Sequence, residues 1–167
     1  EPVLSGFVIV RTFVAAILVC AGATGLFHHE YFSELPLVGT PGHEDLTETI
    51  VLAEAQTMAV TTVILFQIFY LLNCRSLRHS LRSLGIFSNK TIFVGIGTLL
   101  ALLAAFIYAP FMQVVFGSAP LQPMDLLWAT LVGAALPIAE FGSAEQKQRW
   151  LPGVAAGEVM LSAAFHE

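Results

Sequence analysis

Gln67 stands well inside a long apolar run, IVLAEAQTMAVTTVILFQIFYLL, and its amide oxygen is a ligand that a hard cation accepts. Polar groups at such a position are as a rule paired or functional. Gln56, Gln67, Tyr70 and Cys74 share one stripe of a helix, because Gln67 lies 11 residues after Gln56, 3 before Tyr70 and 7 before Cys74. Two readings stay open for Gln67. One is contact with an ion; the other is a hydrogen bond between helices, worth about 0.6 kcal/mol in comparable settings. A second group of metal-ligand type, His28, His29, Glu30, Glu34, His43, Glu44 and Asp45, matches no standard ligand spacing. It reads as a solvated acidic loop that raises the local cation concentration. Cys20 and Cys74 lack the C-x-x-C spacing of zinc or redox sites and read as small buried packing residues. No residue is assigned a catalytic or cofactor-binding role.

The elements that position Gln67 follow from apolar length. A helix needs about 20 largely apolar residues to cross roughly 30 Å of hydrocarbon. Four segments meet that need, at about 6–27, 51–72, 91–111 and 124–141. Backbone amides in lipid must be bonded internally, and runs of this length without period-2 alternation do so as helices. The expected fold class is therefore all-α, an integral membrane four-helix bundle. Arg11 can snorkel near the start of the first span, and Glu54 places the start of the second at an interface. Pro137 predicts a kink or an early end in the fourth. Gly95 and Gly97 offer a close helix approach in the third, and Trp128 and Tyr31 fit interfacial anchors.

Composition agrees with a lipid environment. Of the 167 residues, 56% are hydrophobic and 11% are charged, against roughly 25% charged in soluble domains. The mean hydropathy is +0.79. All seven basic residues fall on one side of the four spans: Arg11, then Arg75, Arg78, Arg82 and Lys90, then Lys147 and Arg149. Lys and Arg near span ends are retained in the cytoplasm, so both termini are expected there. The basic connection can also attract anionic head groups, at about 1 kcal/mol per charge. Glu1 in place of Met, with no signal peptide behind it, reads as a piece of a longer protein.

The stretch 54–76, EAQTMAVTTVILFQIFYLLNCRS, is similar to the eighth transmembrane helix of P-type cation-transporting ATPases. There a T-M-A start leads to an amide or acid in mid-span and to Asn at the cytosolic exit. Thr57, Met58, Ala59, Gln67 and Asn73 hold those positions here. LRSLGIFSNK, the aromatic-rich third span and FGSAPLQPMDLLWA resemble the loop, ninth helix, outward turn and tenth helix that follow. The resemblance covers roughly residues 1–140 and implies the C-terminal transmembrane domain of a cation pump. It makes Gln67 the candidate cation ligand, where some calcium pumps carry a glutamate, and Asn73 a motif match of structural type.

The family's phosphorylated aspartate, in a D-K-T-G motif, and its fourth to sixth helices do not occur in this sequence. ATP and magnesium are thus implied for the parent enzyme and not for this chain. Implied partners are the lipid bilayer, the upstream transmembrane core, the cytosolic domains and a transported cation, with no nucleic acid. Calcium, manganese and a monovalent cation remain open as the ion, and the expected location is a bacterial-type plasma membrane.

Residues 141–167, FGSAEQKQRWLPGVAAGEVMLSAAFHE, resemble instead a segment of acyl-CoA dehydrogenases, through Gly142, Ser143, Glu145, Gln146, Lys147, Arg149, Trp150, Leu151, Pro152, Ala155, Gly157 and Glu158. A fusion or assembly join near ALPIAEF is the expected account, with convergence in an amphipathic cytosolic tail as the alternative; the family's flavin strands and catalytic glutamate are not in the sequence. Two other readings stand beside the pump domain: a free-standing four-span interaction protein, and a dehydrogenase fragment behind a membrane leader.

Overall fold

The computed structural model describes residues 6–76, 90–142 and 147–148. Every regular element among them is helical. Helix α1 spans Gly6–Glu34 and runs into a 3-10 turn, Leu35–Leu37; α2 spans Glu48–Ser76, α3 Lys90–Tyr108, α4 Pro110–Phe116 and α5 Pro123–Phe141. Three helices, α1, α2 and α5, are long and apolar enough to cross a membrane, and the pair α3–α4, bent by 78°, is apolar enough to make a fourth span if the two are counted together. The all-α membrane fold expected from the sequence is the fold observed.

The helices differ from the apolar spans in physically informative ways. Helix α1 continues past Phe27 to Glu34, so His28, His29, Glu30 and Tyr31 are helical and only residues 38–47 form the connecting loop. Apolar length marks where lipid ends, whereas a helix stops where its hydrogen bonds stop. Helix α3 ends at Tyr108, inside the apolar run. Pro110 forces Ala109 into an extended conformation (φ −80°, ψ 123°) and then opens α4 as its first residue. The two helices meet at 78°. Gly117, at φ 63°, closes α4 in the left-handed conformation that glycine adopts without steric cost, and its N–H donates to the Gln113 carbonyl. Pro137 lies within α5, which runs on to Phe141.

The bundle is built on α2, which packs against α5 along one face and α1 along another. Met58, Leu65, Ile68, Ala129, Leu103, Ile107 and Leu121 form its core. The α2–α5 seam depends on a small-residue face, Ala129, Gly133 and Pro137, recurring every fourth position and buried. Such faces let backbones approach where lipid supplies no hydrophobic drive to associate. Among the described residues the close approach is at Gly133 and not at Gly95 or Gly97: those two are exposed, and no described residue lies within 4 Å of where a Cβ would be. Cys20 is also exposed, on the outer side of α1, which corrects its reading as a buried packing residue.

A polar fastening holds the α3–α4 unit and the following turn. The Ser118 hydroxyl donates to the Phe106 carbonyl (2.6 Å), Gln113 Nε2 to the Ile107 carbonyl (2.8 Å) and Tyr108 Oη to the Leu121 carbonyl (3.3 Å). The Ala119 N–H donates to Thr57 Oγ1 (2.9 Å), tying this turn to α2.

At one end of the bundle Arg11 lies over the rings of Phe141 (4.7 Å to the centroid) and Tyr70 (5.7 Å), which contact each other edge to face. One cation thus joins α1, α2 and α5. Replacing Arg11 with Met keeps the apolar stem and removes the charge. We expect a loss of about 1 kcal/mol in detergent-induced unfolding, and little further loss when Phe141→Leu is added.

Candidate functional site

Gln67 is exposed on α2, while its neighbours Leu65, Phe66 and Ile68 are buried. Gln56, on the same stripe, is exposed as well, and Tyr70 is half-buried between Phe66 and Phe141. The stripe read from the sequence is therefore divided. Its upper members are open, whereas Tyr70 closes against α5 beneath Arg11. Among the described residues Gln67 makes no hydrogen bond to a neighbouring helix. Asn73 lies in α2 just past the last residue whose side chain is described.

A second constellation lies at the opposite end of the bundle from Arg11. Glu30 and Glu34 are one turn apart on α1, and both face Glu54 on α2. One carboxylate oxygen from each lies within 4.8 Å of the others. Glu34 and Glu54 are close enough to share a hydrogen bond, and the charge of Asp125, at the start of α5, reaches Glu30 and Glu54. At that separation each pair of full negative charges costs about 3 kcal/mol at an effective dielectric of about 20. The arrangement therefore calls for positive charge among the oxygens. Arg11 is at the other end, over Tyr70 and Phe141, and His29 is the cationic group close enough to act on Asp125.

Of the seven loop residues singled out by type, only Glu30 and Glu34 enter this cluster; His28, His29, His43, Glu44 and Asp45 are exposed. Glu30 is 6% exposed, which corrects its reading as part of a solvated loop. The third member, Glu54, marked only an interface in the sequence. What the sequence does carry is the four-residue spacing of Glu30 and Glu34, which places them on one helical face once α1 is known to continue that far.

The sequence model of the family described as "Cation transporting ATPase, C-terminus" matches residues 1–143. The chain belongs to that family. A "Probable cation-transporting ATPase F" of Mycobacterium tuberculosis is 32% identical over 122 residues, 73% of this chain and 12% of that protein. A mouse "Calcium-transporting ATPase type 2C member 2" is 30% identical over 131 residues, 78% of this chain and 12% of that protein. A "Calcium-transporting ATPase 1" of Yarrowia lipolytica is 33% identical over 84 residues, half of this chain. No solved structure matches. This chain of the cation-transporting ATPase C-terminal family thus spans about an eighth of the length of the first two relatives and 9% of the third. The acyl-CoA dehydrogenase likeness finds no support in these comparisons, whose matches are cation pumps. Most of the segment that carried it, residues 143–146 and 149–167, lies outside the described residues, as does the basic connection through Arg78 and Arg82.

Proposed function

We propose that this bundle buttresses the ion-conducting core of an ATP-driven cation pump and lends that core one ligand, the Gln67 amide. The observation that carries the reading is the exposure of Gln67 in the middle of the most buried helix of the bundle. An amide left open between buried neighbours suits a surface that another part of a larger protein covers. The relatives' names supply the cation, and two of them specify calcium. A neutral amide supplies an oxygen ligand without charge, so it holds a divalent ion more weakly than a carboxylate in the same place. ATP and magnesium belong to the parent family's phosphoryl chemistry, and we assign no residue of this chain to them. The confinement of all seven basic residues to one side of the spans supports cytoplasmic termini in a bacterial-type plasma membrane.

The test is ion affinity in the assembled pump. Gln67→Ala is expected to weaken activation by the transported cation about tenfold, roughly the worth of one good ligand hydrogen-bond equivalent. Gln67→Glu is expected to restore or exceed the original affinity for a divalent ion. Equal affinity in the parent and in Gln67→Ala removes Gln67 from the ion path and leaves the bundle a purely supporting role.

A further inference from the structure

Helix α4 is inside out for a helix that faces water. A surface helix of that kind hides its apolar side chains and shows its polar ones. In α4 the order is reversed. Phe111 and Val114 are 70% and 86% exposed, Val115 is exposed as well, and the three share one face by their i, i+3, i+4 spacing. Gln113, the one residue of α4 with a hydrogen-bonding side chain, turns back into the protein, where its Nε2 donates to the Ile107 carbonyl at 2.8 Å. The surroundings that suit the outer face of α4 are therefore apolar.

The placement of α4 is fixed at both ends. Pro110 sets it at 78° to α3, and Gly117 ends it. Just beyond, the Ser118 hydroxyl reaches back to the Phe106 carbonyl, and the Phe116 ring meets that of Phe106 edge to face at 5.9 Å. Thus α4 is a sideways excursion that returns to the last turn of α3 before α5 begins. The Ala119 bond to Thr57 puts this corner at the end of α2 away from Tyr70 and Arg11. Membrane-crossing helices tilt about 20° on average, so with α3 as the crossing segment α4 lies within roughly 30° of the membrane plane.

A membrane offers two apolar neighbours, hydrocarbon and another helix, and residue type decides between them. Helices pack together in lipid on small residues, as α2 and α5 do at Gly133. Phe111, Val114 and Val115 provide no such close approach. The adjoining end of α3 is exposed too, at Leu102 and at Tyr108, a residue type that favours the membrane boundary. We propose that α4 is an in-plane lipid anchor, lying along the boundary of head groups and acyl chains, with Phe111, Val114 and Val115 sunk among the chains of that leaflet. No charged residue lies between Lys90 and Asp125, so the attachment is hydrophobic and indifferent to head-group charge.

The test uses the assembled pump in nanodiscs, with the photoreactive probes Phe111→p-benzoylphenylalanine and Val114→p-benzoylphenylalanine. Mass spectrometry after irradiation identifies what each probe has joined. We expect phospholipid adducts at both positions, several-fold above those of the same probe in place of His43, which is exposed in the loop 38–47. Yields are expected to be equal in phosphatidylcholine and phosphatidylglycerol. Circular dichroism establishes that each variant keeps its helices. Should the Val114 variant not fold, the Phe111 variant, which keeps an aromatic ring, carries the comparison. Adducts to another protein segment overturn the proposal, and so do lipid yields no higher than at position 43. A requirement for phosphatidylglycerol overturns the hydrophobic attachment. None of these outcomes depends on the ion assignment of Gln67.

Discussion

Gly133→Leu is expected to open the seam between α2 and α5 and to cost about 3 kcal/mol of bundle stability, the upper part of the range for overpacked cores. A Cβ at position 133 would come within 2.9 Å of the Leu65 Cβ and 3.1 Å of the Phe66 backbone nitrogen. Neither atom is the free end of a flexible side chain, so only a shift of whole helices relieves the contact. Gly22 is a useful contrast. Its Cβ would meet Leu136 Cδ1 at 2.8 Å and Val132 Cγ1 at 3.0 Å, both side-chain termini that can rotate away. Gly22→Ala should therefore cost less than Gly133→Ala, although the first contact is nominally the shorter. Unfolding by sodium dodecyl sulfate from mixed micelles measures both. Equal losses for the two alanine variants would show that helix displacement, and not side-chain rotation, absorbs each contact.

Thr57→Val is expected to lose about 2 kcal/mol with almost no change in shape. Thr57 Oγ1 accepts the Ala119 N–H at 2.9 Å while donating to the Ala53 carbonyl at 2.7 Å, and the residue is buried. Valine fills the same space but leaves the Ala119 amide without its acceptor. An orphaned buried amide costs about 1 to 3 kcal/mol, and hydrocarbon surroundings offer no water to replace the partner. Thr57→Ser should recover most of the loss. Hydrogen exchange at the Ala119 amide reads the bond directly: exchange in Thr57→Val should be faster by about the factor of 30 that 2 kcal/mol implies.

The sequence was legible where one physical rule dominates. Long apolar runs in IVLAEAQTMAVTTVILFQIFYLL and TIFVGIGTLLALLAAFIYAPF admit only internally bonded helices, so the all-α class followed directly. Gln67 was recognisable as an isolated amide in such a run, and it is exposed in the structure. Less legible were features set by helix ends and helix neighbours. Apolar length does not say that α1 persists to Glu34, so the sequence places Glu30 in a loop, whereas in the structure it is helical and buried. Pro110, hidden in an otherwise apolar stretch, turns the chain by 78° one residue beyond Tyr108. Glycines give no sign of their partners. Gly95 and Gly97 look as suited to helix contact as Gly133, yet among the described residues Gly133 alone of the three sits where another helix's backbone passes.

The bend at Pro110 bears on the thickness of the surrounding membrane. Helix α3 has 19 residues, about 28 Å of rise, and it opens with polar Lys90 and Thr91, so its greasy length falls to about 25 Å. A typical hydrocarbon slab measures about 30 Å. Either the leaflet thins beside α3, or α4 lies flat and fills the shortfall with Phe111, Val114, Val115 and Phe116, whose side chains all point outward. In both cases this corner of the protein matches a thin bilayer better than a thick, sterol-rich one.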